Sequence, residues 1–406
     1  MNDGPGDPST LKRQIDPLLH RFRETVDSPR NQARLKLWAE PSFHLKTVKF
    51  RGQPLPLEKT GGKVPVQADL YSTAFWGRLL SFDLAKYYTD PVTYLYYYLT
   101  ARLKNFELIP DDSPLVPAIP VWIGLAFEAS LFGAQQVYST NEEPWVDPSP
   151  KIRKHSDLDA LQPPDFRKSG LMPLAHRFYH ELSEIVRGHG IAVQFVDWGA
   201  SPLNTMLSLR GYESLLVDMM EETEFFQRLG WFLVDCRKQW ERDRAAFTGR
   251  PPAKLLLYDD DVSVPQISPA LYRNHILPLE KELKDFHGGV DYWHSCGNVT
   301  PFLPSIQELG QIGMLNVSAW TDLRRAAELF RGTTALEVCV HAVDDVLQAS
   351  PRQMENRLRE IVGICREMGL PCFTIRAEGI TGLGETDQNL KQVQQWMTVA
   401  RRVVDS

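Results

Sequence analysis

Long apolar runs are missing from this chain. No stretch of about 18 apolar residues occurs, which leaves no helix to span a bilayer. The opening residues, MNDGPGDPSTLKRQ, also lack the apolar core of a secretory signal. Cysteine is scarce and odd in number, with five in 406 residues (236, 296, 339, 365 and 372). That count argues against a disulfide framework and suits a reducing, cytoplasmic setting, where thiols stay free for packing or metal binding. An excess of basic charge is absent too: the formal net charge is −6, so neither nucleic acid nor an anionic membrane is expected as a partner. There is no P-loop, no G-x-S-x-G elbow, no H-E-x-x-H, and no glycine-rich dinucleotide fingerprint after the first apolar run. What remains is a chain of ordinary soluble, globular composition, 43% hydrophobic and 24% charged.

What is present is an alternation. Short apolar, β-rich runs occur at Val64–Leu70, Ala118–Leu125, Ile191–Trp198, Lys254–Asp260, Val290–His294, Met314–Ser318, Ala335–Val340 and Cys372–Ala377, each followed by a helical pattern. Ser268-Pro269, Thr300-Pro301 and Ser350-Pro351 each set a hydroxyl before a proline, an expected helix start, and Gln353 completes a capping box with Ser350. Runs such as LLLY, MLNV and ALEVCV read as strands buried on both faces, as in parallel sheets. Eight such units predict an α/β fold, a closed (β/α)8 TIM barrel over residues 61–406. Residues 1–60 form a helical N-terminal extension packed on it, with a first helix at roughly 9–27.

A barrel of this kind carries its active site at the C-terminal ends of the strands. The polar residues falling there are Asp69, Asp197, Asp259 to Asp261, His294 with Cys296, Trp320 with Asp322, His341 and Glu378. Within WHSCGN, His294 and Cys296 stand two apart, on one face of a strand with Ser295 turned away. An imidazole and a thiolate are good zinc ligands, and a catalytic zinc takes three protein ligands. Cys372, Cys339, His341 and Glu378 are the candidates for the third. Cys372 opens the last strand, about 20 Å below the rim at about 3.3 Å per residue. Glu378 closes the same strand and is preferred. Asp259 and Asp260 are candidate proton-handling groups, because neighbouring carboxylates raise each other's pKa. His341 is either an acid/base or the cap of the next helix. Trp76, Trp122, Trp198 and Trp320 are candidate pocket aromatics.

The stretch WHSCGNVTPFLPSIQELG, Trp293–Gly310, resembles the H-x-C-G-N segment of the uroporphyrinogen decarboxylase superfamily, and most of all its zinc-dependent, cobalamin-linked methyltransferase branch. Ser201–Asp218 and Ile267–Glu282 resemble helical segments of that family in the same order, and the likeness spans roughly residues 60 to 402. The resemblance implies a (β/α)8 barrel whose zinc is held by the His and Cys of H-x-C and by a Cys ending the last strand. Here those positions are His294, Cys296 and Glu378, so the third ligand departs from Cys to Glu, which implies a more Lewis-acidic metal. Porphyrinogen decarboxylases lack H-x-C, so that reaction is disfavoured. The implied activity is methyl transfer between an O-, N- or S-methyl substrate and a corrinoid. No D-x-H-x-x-G corrinoid motif occurs, so the corrinoid would ride on a separate protein. The alternative is a metal-assisted decarboxylase or other lyase acting on a different substrate.

Overall fold

A computed structural model describes residues 8–39, 44–46, 49–70, 72–381 and 385–406. Eight parallel strands follow one another along the chain: β1 Val66–Ala68, β2 Ala118–Pro120, β3 Ala192–Gln194, β4 Leu255–Tyr258, β5 Val290–His294, β6 Ile312–Val317, β7 Ala335–Val340 and β8 Phe373–Ala377. Each lies within or overlaps one of the eight apolar runs. Helices separate them, among them Pro91–Leu108, Met172–Ile185, Thr223–Thr248, Leu277–His287 and Pro351–Glu367. The C-terminal helix, Thr386–Val404, follows β8.

Six of the strands form one sheet in the order β1-β8-β7-β6-β5-β4, so the first strand pairs with the last, as a ring requires. β2 and β3 pair separately. The two groups are joined at Ala200, which bridges to Tyr258 at the end of β4. The expected closed barrel is corrected at two seams among the described residues: β3 meets β4 only through the Ala200–Tyr258 bridge, and no ladder joins β1 to β2. Both strands are three residues long, and the segment entering β2 occupies the edge of β1. Asp112 Oδ2 accepts from the Val66 amide at 2.8 Å, the Asp112 amide donates to the Val66 carbonyl at 2.8 Å, and Asp111 Oδ2 accepts from the Ala68 amide at 3.4 Å. Side-chain carboxylates take the amides that a neighbouring strand would have paired.

The start signals hold at two of three sites. Ser268 accepts from the Leu271 amide, and Ser350 forms the capping box with Gln353. Thr300 does not cap: its own amide goes to Asn298 Oδ1, and its hydroxyl accepts from the Asp322 amide. No helix among the described residues is long and apolar enough to cross a membrane.

The first helix, Pro8–Asp27, buries Leu11, Ile15, Leu19, Phe22 and Val26 on one stripe, packed mainly against Pro91–Leu108. The chain then runs beneath the sheet. The Leu57 amide donates to the Pro371 carbonyl at 2.8 Å and the Cys372 thiol to the Pro54 carbonyl at 3.0 Å, both at the entry to β8. The Phe50 carbonyl accepts from Arg376 on β8 and Gln67 on β1. That segment carries Arg51 into the interior, where it is 1% exposed.

Candidate metal centre and its cleft

Alternation along the strands decides what lines the interior. β5 sends Tyr292 and His294 inward, β7 sends Glu337 and Cys339, and β8 sends Arg376, with Glu378 just beyond its end. β6 contributes Asn316 and β1 contributes Gln67. The registers set these side by side: Asn316 opposite Glu337, Cys339 opposite Arg376, and Tyr258 opposite His294.

His294 closes β5 and is 4% exposed. Two residues on, the exposed Cys296 brings Sγ to 3.1 Å from His294 Nε2. Ser295 turns the other way and donates to the Val262 carbonyl at 3.1 Å. Gly297 is required by close approach, since a Cβ there would lie 2.3 Å from Ser263 Cβ. Asp260 arrives from the loop after β4, with Oδ1 3.2 Å from His294 Nε2 and 3.4 Å from the Cys296 amide. Desolvation raises the Asp260 carboxyl, but the charge of His294 and hydrogen bonds from His294 and Cys296 outweigh it and hold the group well below the usual carboxylate range.

On its other side the imidazole meets a second set of groups. Nδ1 lies 3.0 Å from the Tyr292 hydroxyl and 3.7 Å from Glu378 Oε1. Tyr292 donates to Glu337 Oε2 at 2.5 Å, and Asn316 Nδ2 donates to Glu337 at 3.0 Å and to Glu378 at 2.9 Å. Arg376 Nε lies 2.6 Å from Glu337 Oε1. Arg51 pairs directly with Glu378, lies 3.5 Å from Glu337, and sits over the Tyr292 ring at 4.6 Å. Burial raises Glu337, but Arg376 and Arg51 overcome it and leave the group far below its ordinary value.

His294 thus belongs to two clusters that could hold a metal, Asp260–His294–Cys296 and His294–Glu337–Glu378. They differ in chemistry. The carboxylates of the second are already neutralised by two guanidinium groups. In the first, a ring nitrogen, a sulfur and a carboxylate oxygen point at one another. Their 3.1 and 3.2 Å separations from Nε2 are close to the ~3.4–3.6 Å between ligands of a tetrahedral zinc with bonds of about 2.0–2.3 Å. The donor set fits zinc.

The expected site residues fall as follows. His294, Cys296 and Asp260 come together at the cleft. Glu378 lines the same cleft, on the Nδ1 side of His294 and paired with Arg51. Asp259 points away from it: wholly buried, it lies beside Glu280, which accepts from Tyr272 at 2.8 Å and Trp293 at 3.4 Å. Burial and the adjacent Glu280 push Asp259 well above the carboxylate range, and burial raises Glu280 as well, so the pair retains a proton. Asp261 is raised to about 6 by burial and by Asp260. His341 caps the segment after β7, where its Nδ1 accepts from the Asp344 amide at 3.1 Å, and its ring packs on Trp320. Asp197 pairs with Arg244, and Asp69 lies 3.5 Å from Arg376. Cys372 sits at the floor of the sheet, on Pro54.

The cleft has a volume of about 480 Å³ and is bounded by Arg51, Trp122, Trp145, Tyr258, His294 and Glu378, among others. A smaller apolar hollow of about 50 Å³ adjoins it, sharing Arg51, Trp122 and Tyr258 and adding Val121, Ile123, Phe127 and Phe195. Of the four tryptophans expected to line a pocket, Trp122 faces the cleft. Trp76 and Trp198 are core, and Trp320 lies over His341. Sequence reasoning missed Arg51, Tyr292, Asn316, Glu337 and Trp145. The Glu within ALEVCV and the Arg within FTIRA were the available signals: charges at alternate positions of strands otherwise read as core. Arg51 had none, because it precedes the first strand.

The family profile described as Uroporphyrinogen decarboxylase (URO-D) matches residues 116–370. A solved structure of a methyltransferase from Methanosarcina mazei is similar in fold, with a TM-score of 0.59 and 18% identity over 85% of this chain and 95% of that chain. No curated protein matches. The profile spans more than half of the sequence and includes the H-x-C-G-N segment, and this chain is a member of the uroporphyrinogen decarboxylase (URO-D) family.

Proposed function

We propose that this protein is a zinc-dependent methyltransferase of the URO-D family. On this reading it transfers a methyl group between an O-, N- or S-methyl substrate and a corrinoid on a separate protein, and its eight strands form the family's (β/α)8 barrel behind an N-terminal extension of residues 1–60. The observation that carries the proposal is the convergence of His294 Nε2, Cys296 Sγ and Asp260 Oδ1 at the C-terminal end of β5, facing an open cleft. These three would hold the metal, with Glu378 as the nearest further carboxylate. When bound, zinc supplies a Lewis acid that polarises the heteroatom carrying the methyl group. The chain's own groups do the rest. Trp122 and Trp145 offer apolar and aromatic surface to the substrate, Tyr258 closes the inner wall, and Arg51 pairs with Glu378 and holds it in place.

The test is metal analysis followed by turnover. Purified protein should carry about one zinc, His294→Ala and Cys296→Ser should lose it, and Asp260→Asn should bind it more weakly. Candidate methyl donors are then screened for methylation of cob(I)alamin, read in the visible spectrum. Retention of stoichiometric zinc by both His294→Ala and Cys296→Ser would remove the basis of the proposal. Turnover without any corrinoid would replace it with a metal-assisted lyase.

A further inference from the structure

We infer that Tyr292 and Glu337 form a buried positioning relay that fixes the tautomer of His294, so that Nε2, and not Nδ1, presents its lone pair to the cleft. The inference rests on the reading of His294 as a metal ligand. Glu337 is wholly buried, and Arg376 at 2.6 Å and Arg51 at 3.5 Å hold it ionised, so it only accepts hydrogen bonds. It accepts from Asn316 at 3.0 Å and from Tyr292 at 2.5 Å. Tyr292 has one hydroxyl proton, and the 2.5 Å contact commits it to Glu337, which can only accept.

The Tyr292 oxygen therefore has only lone pairs to offer its other neighbour, His294 Nδ1, at 3.0 Å. That contact is a hydrogen bond only if Nδ1 carries the proton. Glu378 Oε1, 3.7 Å from Nδ1, adds negative charge that favours the same arrangement, and the Cys296 thiol, 3.1 Å from Nε2, can donate to the lone pair there; Asp260 Oδ1, 3.2 Å from Nε2, pulls the proton the other way. The tyrosine ring lies nearly parallel to the imidazole, at 25° with centroids 5.7 Å apart, and so fixes its plane. In the neutral imidazole the remaining lone pair is then on Nε2, the atom facing Cys296 and Asp260. Outer groups of this kind orient a ligand and raise its basicity, and their loss costs roughly 10- to 100-fold in metal affinity. Glu378 thereby acquires a role apart from ligation: with Arg51 it forms the electrostatic backing of the relay.

The experiment uses the full chain labelled with 15N-histidine, with His294 assigned by comparison with His294→Ala. In metal-free wild type at a pH where the ring is neutral, the His294 nitrogens should report the Nδ1–H tautomer. Tyr292→Phe removes only the hydroxyl and should shift the population toward Nε2–H. The same variant should weaken zinc binding, measured by chelator competition, by roughly 10- to 100-fold while thermal unfolding shows an intact fold. Glu337→Gln should do likewise, and Tyr292→Phe keeps the test decisive if the glutamine variant fails to fold. An Nε2–H tautomer in wild type, or zinc affinity within about twofold of wild type in folded Tyr292→Phe, overturns the relay. If wild type binds no zinc, the functional proposal fails, and the tautomer measurement still decides the relay by itself.

Discussion

Replacing Arg51 by methionine should be among the most damaging single changes outside the proposed metal ligands, and its cost should depend on pH. In the wild type two buried guanidinium groups, Arg51 and Arg376, face Glu337, Glu378 and Asp69. Methionine keeps much of the packing against Tyr292 but leaves one guanidinium against three carboxylates. Breaking a buried ion pair from one side costs about 3–5 kcal/mol. Glu337 gives the scale that Arg376 and Arg51 share. Burial raises it, Arg376 and Arg51 depress it further, and the net fall from 4.5 to about 2 corresponds to about 3 kcal/mol at 1.36 kcal/mol per unit. A depressed carboxylate stabilises the fold above its unfolded pKa and loses that contribution as pH falls through the folded value, between about 4.5 and 2 in the wild type. With Arg51 gone, burial and mutual repulsion outweigh the one remaining guanidinium, so a carboxyl of the cluster rises above its unfolded value and takes up a proton at mild acidity. The deficit of Arg51→Met should therefore be largest near pH 7.5 and narrow toward pH 5. Urea denaturation at both values measures it, and the double variant Arg51→Met/Glu378→Gln should recover at least about 1 kcal/mol by removing one stranded charge. A deficit below about 0.5 kcal/mol at pH 7.5, or one that stays flat on acidification, would refute this account of the interior.

Two further outcomes follow from the same geometry. Asp259 has a folded pKa raised above its unfolded value by burial and by Glu280, so it favours the fold below about pH 4 and penalises it as pH rises toward the folded pKa. Asp259→Asn should therefore gain stability relative to wild type as pH is raised, with zinc content unchanged; loss of zinc in that variant would mean that Asp259 serves the metal after all. Cys372→Ala should keep full zinc and the reactivity of Cys296 toward thiol reagents, since its thiol sits on Pro54 at the floor of the sheet; a metal-depleted Cys372→Ala would contradict that placement.

Sequence by itself determined the repeating unit and the pairing of His294 with Cys296 on one face. Eight apolar runs alternating with capped helices are a local signal, because strand burial on both faces and helix starts are written in consecutive residues. His294 and Cys296 were legible for the same reason, since two positions on one extended stretch share a face wherever the strand lies. Asp260 was singled out as a neighbour of carboxylates, but its approach to His294 Nε2 depends on the pairing of β4 with β5, which no local pattern states. The surroundings of Asp259 were likewise set by a tertiary contact, Glu280 beside it, whereas the capping contact of His341 with the Asp344 amide is local, three residues away. Only the folded chain could bring Arg51 beneath the sheet and up to Glu378, more than 300 residues later in sequence. Charge pairing across that distance leaves no periodicity to read. It decided that Glu378 meets a guanidinium and Nδ1, while Cys296 and Asp260 meet Nε2.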